Sequence, residues 1–119
     1  MAWHFTSASP VWVQIAARLR DEIIRGDYSP GQQIPPVRQL ATTAAVNPNT
    51  MQRALSALEA EGLLCSKGTQ GRFVTEDTEV LRRARMRVAG ELVSEFIQRA
   101  ESLSLTTDEL IAMLKEAEK

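Results

Sequence analysis

The residues best suited to recognition chemistry lie between Ile34 and Val74. No acidic residue occurs from Tyr28 to Leu58, while Arg38 and Arg53 both fall inside that window. Asn49, Gln52, Arg53 and Ser56 recur at a spacing that places them on one face of a helix. Such a face offers neutral amide and hydroxyl groups beside a cation, with no carboxylate to repel an anionic partner. Catalytic chemistry has no comparable foothold. With one histidine, His4, and one cysteine, Cys65, neither a metal site nor a nucleophile–base pair can be assembled. No glycine-rich phosphate loop joins a strand to a helix. The chain reads as a non-enzyme without cofactor or metal.

These residues need a scaffold that turns them outward. Asn47 is a favoured helix N-cap and Pro48 a favoured first helical residue. Met51, Ala54, Leu55 and Leu58 then supply an inner face at i, i+3, i+4 and i+7. The spacing predicts a helix over 48–61, ended by Gly62. Before it, Pro35-Pro36 opens a shorter helix with Val37, Leu40 and Ala41 inward and Arg38 outward. Ala44-Ala45-Val46 forms the tight turn between the two. After it, Leu63–Ser66 and Arg72–Thr75 read as strands around the loop Lys67–Gly71, whose two glycines permit positive φ. Helix, turn, helix and hairpin in that order are the signature of a winged helix-turn-helix, whose second helix is shaped to lie in the DNA major groove. A preceding helix begins at Pro10, with Trp12, Ile15, Ala16, Leu19 and Ile23 inward and Arg18, Asp21, Glu22 and Arg25 facing elsewhere, up to Gly26. Residues 1–9 read as a loose or strand-like lead.

After Asp77 the pattern changes to one helix of about 25 residues. Ala84, Val88, Leu92, Phe96 and Ala100 form one apolar row, and Leu81, Ala89, Val93 and Ile97 a second. Thr106 with Glu109 makes a capping box and Leu105 with Leu110 a hydrophobic staple. They open a last helix expected to bury Leu110, Met113, Leu114 and Ala117. Two helices make too little core to fold alone. The pair is therefore expected to pack against the same pair of a second chain, setting two recognition helices about one DNA turn apart on a two-fold-symmetric site. The fold class is mainly α with a small β-hairpin: a winged helix-turn-helix over 1–76 followed by a two-helix C-terminal dimerisation element over 77–119.

Composition narrows the remaining classes. With 119 residues, 44% hydrophobic and 24% charged, the chain is neither disordered nor fibrous, and 5% aromatic content implies an aliphatic core. No apolar run approaches the roughly 20 residues that span a bilayer. Met1 to Phe5 lacks the basic and apolar regions of a signal peptide. A cytoplasmic protein without a membrane partner is expected, and the lone Cys65 suits a reducing compartment. A net charge of −1 is unusual for a DNA-binding chain. Acidic residues collect at Glu91, Glu95, Glu101, Asp108, Glu109, Glu116 and Glu118, which leaves the field around the 48–61 helix positive. Modest non-specific affinity with a strong salt dependence follows.

Residues 10–76 resemble the DNA-binding domain of the GntR family of bacterial transcription regulators. The resemblance is carried by Val11-Trp12-Val13-Gln14-Ile15, Gly26 to Gly31, Ile34 to Ala41, Val46 to Thr50 and Leu58 to Leu63. The short two-helix C-terminal region resembles the YtrA-type subfamily, whose appendage is a dimerisation element rather than a large effector-binding domain. The resemblance implies double-stranded DNA as partner and a repressor acting as a homodimer on a palindromic operator. It implies that Arg38 binds phosphate or reaches the groove. Asn47, Asn49, Thr50, Gln52 and Arg53 would contact phosphates and base edges, with Asn and Gln suited to adenine and Arg to guanine. Lys67 and Gly68, at the wing tip, would meet the minor groove or its backbone. Two departures stand out: Pro36 replaces a serine that caps the second helix, and the wing carries Lys67 and Arg72 around an uncharged Thr69-Gln70.

Two rival readings remain open at this point. One is a winged helix used as a protein-interaction module; the other is a ligand sensor in which a small-molecule effector, unidentified, controls dimer geometry. Plainer roles also compete residue by residue. Arg53 could serve the scaffold, Lys67 could be an ordinary hairpin charge, and Asn47 is a helix cap in either reading. Arg82, Arg83, Arg85 and Arg87 are read as a solvated face paired with carboxylates across the dimer, rather than a phosphate clamp. Cys65 is expected to be a small buried hydrophobe, His4 a surface residue, and the four methionines core.

Overall fold

The computed structural model describes residues 2–119. In chain order the elements are α1 (Val11–Arg25), α2 (Val37–Ala44), α3 (Pro48–Ala60), β1 (Leu64–Ser66), β2 (Arg72–Val74), α4 (Thr78–Ser102) and α5 (Thr107–Ala117), with a single 3-10 turn, Gly68–Gln70, between the strands. The chain divides into two compact units, one through Ala84 and one from Arg85 to Lys119.

In the first unit each helix begins and ends on a local signal. The Pro10 carbonyl accepts from the Val13 and Gln14 N–H groups to start α1, and Gly26 closes it at φ 85°. The α2–α3 turn is made by Ala45 at φ 59°, a left-handed residue that keeps its Cβ at an expense of about 1–2 kcal/mol. The Val46 N–H then donates to the Ala41 carbonyl at 3.0 Å, so the two helices meet across very few residues. Ile15, Leu19, Leu40, Met51, Leu55, Leu58, Leu63 and Val74 bury one continuous aliphatic core. The hairpin pairs Leu64 with Val74, Cys65 with Phe73 and Ser66 with Arg72. Gln33 bridges to Phe73 on the outer side of β2, with Ile34 N–H donating to Arg72 O at 3.0 Å and Val74 N–H to Gln32 O at 2.9 Å. The wing base is thus held between a partial third strand and the core.

Several expectations need correction here. Of the two forms expected for the lead, residues 2–9 take the irregular one, yet they are tied down: Trp3 and Phe5 pack on the core, and Gln14 holds Thr6 and Ser9 by hydrogen bonds from 2.8 to 3.0 Å. Glu22 is half-buried rather than turned to solvent. Its Oε1 finds no hydrogen-bond partner, with Arg18 Nε 3.8 Å away, and burial pushes its carboxyl pKa up. Cys65 is exposed, because it alternates outward from Leu64 in a strand that shields only one face. Of the methionines, Met51 is core but Met86 and Met113 are exposed, and Met1 lies outside the described residues. Arg82 and Arg83 find Glu79 on their own helix, at 2.7 and 3.6 Å, rather than requiring a second chain. The Arg82 hydrogen bond holds the Glu79 carboxyl below its usual range.

In the second unit the last turns of α4 and all of α5 enclose little. Ala100 and Leu110 are buried, whereas Leu92, Val93, Phe96, Ile97, Met113 and Leu114 are exposed. The expected burial of Met113, Leu114 and Ala117 therefore fails within one chain, since each helix can cover only one stripe of the other. The exposed side chains line two open apolar clefts of about 450 and 310 Å³. α5 starts on the expected capping box: Glu109 N–H donates to Thr106 Oγ1 at 3.1 Å, and Thr106 N–H to Glu109 Oε1 at 3.0 Å. That backbone bond holds the Glu109 carboxyl below its usual range. Among the described residues no helix is long and apolar enough to cross a membrane.

Candidate nucleic-acid interface

The sequence of α3 decides which way its polar groups face. Met51, Ala54, Leu55 and Leu58 are fully buried, so Asn49, Gln52, Arg53 and Ser56 are left outside. The side chains of Asn49, Gln52 and Ser56 hold no hydrogen bond to other described residues, which leaves their donors and acceptors open. Asn47 caps the helix, its Oδ1 accepting from the Asn49 N–H at 2.7 Å. Thr50 is half-buried in the first turn. Arg53 is exposed, but its guanidinium lies 4.5 Å from the centre of the Trp12 ring on α1. That cation–π contact holds the guanidinium over the ring and commits one side of it to the scaffold.

α2 packs against α3. Arg38, in its first turn, is exposed and without a carboxylate partner among the described residues. Pro36, at the N-cap, makes no side-chain hydrogen bond, so the departure noted in the sequence leaves the first N–H groups of α2 open to an acceptor. The helix dipole favours an anion there.

β1 also packs against α3 and carries the wing. Lys67 Nζ sits 4.7 Å from the centre of the Phe73 ring, at the foot of the tip rather than loose in solvent. Gly68 has φ 56° and Gly71 φ 111°, and a Cβ on Gly71 would lie 2.9 Å from Gln33 Nε2. That same Gln33 amide donates to the Gln70 carbonyl, which ties the tip back to the segment before α2. One cleft of about 270 Å³ lies there, lined by Gln33, Pro36, Val37 and the tip residues.

Three side chains matter to this surface beyond those expected to touch a ligand. Arg20 on α1 grips Glu61 with two bonds, Nε to Oε1 at 2.8 Å and Nη2 to Oε2 at 2.6 Å. Arg72, which the sequence places on the wing beside the uncharged Thr69-Gln70, is paired with Glu59 at the end of α3. Trp12, read as plain core, supplies the ring under Arg53. The periodicity that places residues on faces says nothing of pairings across so many positions. Charge bookkeeping was the one available signal: Glu59 and Glu61 are acids at the edge of an otherwise acid-free segment.

A family model described as bacterial regulatory proteins, gntR family, matches residues 12–74. The chain is 32% identical over 111 residues to the HTH-type transcriptional regulator YhcF of Bacillus subtilis, covering 93% of this chain and 92% of that protein. It is 29% identical over 111 residues to the HTH-type transcriptional repressor YtrA of the same organism, covering 92% and 85%. A solved structure of a GntR family transcriptional regulator from Listeria monocytogenes matches with a TM-score of 0.86 at 31% identity, covering 94% of this chain and 98% of that one. These similar proteins are transcriptional regulators, not enzymes.

Proposed function

The chain belongs to the gntR family of bacterial regulatory proteins, transcriptional regulators with a DNA-binding domain of this type, and from that premise we propose a cytoplasmic repressor that binds a palindromic operator as a homodimer. Residues 1–76 read the DNA and residues 77–119 join the two chains. Asn49 and Gln52 address base edges from α3, and Thr50 and Asn47 meet phosphate at the start of that helix. Arg38 and the open N–H groups of α2 hold the backbone. Lys67 and Gly68 reach the minor groove. Arg53 offers only its outer side to a phosphate, because Trp12 takes the other. The repressor assignment draws on YtrA, which is named a repressor.

The observation that carries this reading is the outward row of α3, Asn49, Gln52 and Ser56, whose amide and hydroxyl groups have no partner among the described residues. A gel-shift titration at two salt concentrations, on DNA upstream of the chain's own gene, tests it. Arg38→Ala is expected to weaken binding several-fold at an unchanged melting temperature. Unchanged affinity removes Arg38 from the contact set. A wild-type chain that ignores every duplex in dilute buffer ends the regulator reading.

A further inference from the structure

Glu59 is the one acidic residue of α3. Helical spacing continues the row Asn49, Gln52, Ser56 directly into Glu59, so an acid ends the row offered to a polyanion. The structure gives this charge a specific use. Glu59 Oε1 accepts from the Arg72 guanidinium and from the Ser66 hydroxyl, the latter at 3.1 Å. Ser66 and Arg72 are cross-strand partners, the last pair before the tip, where Lys67 N–H donates to the Gly71 carbonyl at 2.9 Å. One carboxylate oxygen therefore ties both strands of the wing to α3 immediately below Lys67 and Gly68. The Arg72 and Glu59 side chains are 16% and 30% exposed, which shelters the pair from full solvent competition. Two strands of this length need outside anchors to hold the angle of their tip, and Glu59 supplies one from α3 where Gln33 supplies the other through Gln70.

We propose that Glu59 is a positioning residue for DNA binding. By clasping Ser66 and Arg72 it fixes the angle at which the wing tip approaches the duplex while Asn49 and Gln52 face the groove. Arg72 in turn cancels a charge that would repel phosphate. The proposal rests on the DNA-binding reading above, and it assigns Arg72 to the clasp instead of to a phosphate.

The test uses the full chain as wild type, Glu59→Ala, Arg72→Ala and the double variant, each with its melting temperature. The probes are a duplex selected by the wild type from a random pool and a scrambled duplex of equal length, with hydroxyl-radical footprints of the bound state. Glu59→Ala is expected to bind the selected duplex on the order of tenfold more weakly, the size of one lost specific contact. Its hold on the scrambled duplex should be unchanged or tighter, and the protection where the wing lies should vanish. Arg72→Ala should lose affinity for both duplexes, because the carboxylate is left uncovered. Adding Glu59→Ala to it should restore binding to the scrambled duplex without restoring the wing protection. Wing protection that survives Glu59→Ala overturns the proposal, as do losses that merely follow the melting temperatures. A double variant weaker than Arg72→Ala on the scrambled duplex overturns it too. Failure of the wild type to select any duplex is a separate result, which overturns the DNA-binding reading itself and the clasp role with it.

Discussion

Replacing Phe96 with Glu puts the proposed association of α4 and α5 to its hardest test. Leu92 is 62% and Phe96 45% exposed in the single chain, beside Val93 and Ile97 on the same face. Full burial of a phenylalanine side chain is worth about 1.5–3 kcal/mol, so the exposed fraction leaves about 1 kcal/mol for a partner to gain. A carboxylate forced into the same seam adds a desolvation penalty of several kcal/mol; taking ~2–3 kcal/mol after relaxation gives ~3–4 kcal/mol per substituted side chain. A two-fold interface meets the substitution twice, for a total of ~6–8 kcal/mol. At ~1.4 kcal/mol per decade this is four to six decades in the dimer dissociation constant. Sedimentation equilibrium should therefore show a dimer for the wild type and a monomer for Phe96→Glu, with equal helix content by circular dichroism. Affinity for a duplex with two half-sites should fall to that for a single half-site, while affinity for the single half-site stays put. A dimeric Phe96→Glu chain refutes the reasoning. So does a wild type that is monomeric at concentrations where it occupies both half-sites.

Four further outcomes follow from the geometry. Asn47→Ala removes the acceptor of the Asn49 N–H and should lower stability by about 1 kcal/mol, read as a melting point about 4–8 °C lower; an unchanged melt means that solvent caps the helix as well. Arg53→Ala should shift tryptophan emission and lower stability by about 0.5–1 kcal/mol without changing base preference. Gln52→Ala should do the reverse, relaxing preference at one base pair by about tenfold or more, and a relaxed preference in Arg53→Ala would return that residue to the base-reading set. Glu22→Gln should raise the melting temperature at neutral pH, because burial raises the Glu22 carboxyl pKa in the folded state. The folded chain then holds that proton more tightly than the unfolded one, so the wild type loses stability as pH climbs from the ordinary glutamate value through the raised one. The gap between the two proteins should close below that window, and a gap independent of pH counts against the buried carboxylate as its source.

Features set by neighbours along the chain were legible in the sequence. The Asn47-Pro48 start of α3, the Thr106–Glu109 capping box and the glycines of the wing each act within one turn of backbone, and each stands where local chemistry predicts. Inner faces were legible too wherever one helix stripe meets one core, as with Ile15, Leu19 and Ile23 or Met51, Leu55 and Leu58. What escaped depends on distant segments. The Arg20–Glu61 and Arg72–Glu59 pairs and the Trp12–Arg53 contact join different elements, and a polar face on one element does not name its partner on another. Cys65 escaped for a smaller reason: Leu63 and Leu64 are both buried, so a reading by apolar run carries inward a residue that strand alternation sends out. Met113 and Leu114 line open clefts with Leu92 and Phe96 yet stay exposed, because one helix covers only part of their apolar stripe; the proposed second copy would make their sequence and their exposure agree.

The charges on the reading surface bear on that second copy. Arg20 and Arg72 are spent on Glu61 and Glu59, which leaves Arg38, Arg53 and Lys67 as the cations of the proposed contact set on each head. If all three reach phosphate in both protomers, the logarithm of affinity falls against that of salt with a slope of about −5, and in a lone head with about half that. Discrimination must then come from the neutral row of Asn49 and Gln52, whose hydrogen bonds specify but do not attract from a distance. A head with so few phosphate contacts holds DNA weakly. Linking two heads converts the second contact into an intramolecular event at an effective concentration in the millimolar range, which multiplies affinity without any new contact. In the proposed dimer, occupancy of an operator would be set more by the apolar seam of α4 and α5 than by any single base-facing side chain, and a ligand or substitution that loosens that seam would release DNA while leaving every proposed contact residue intact.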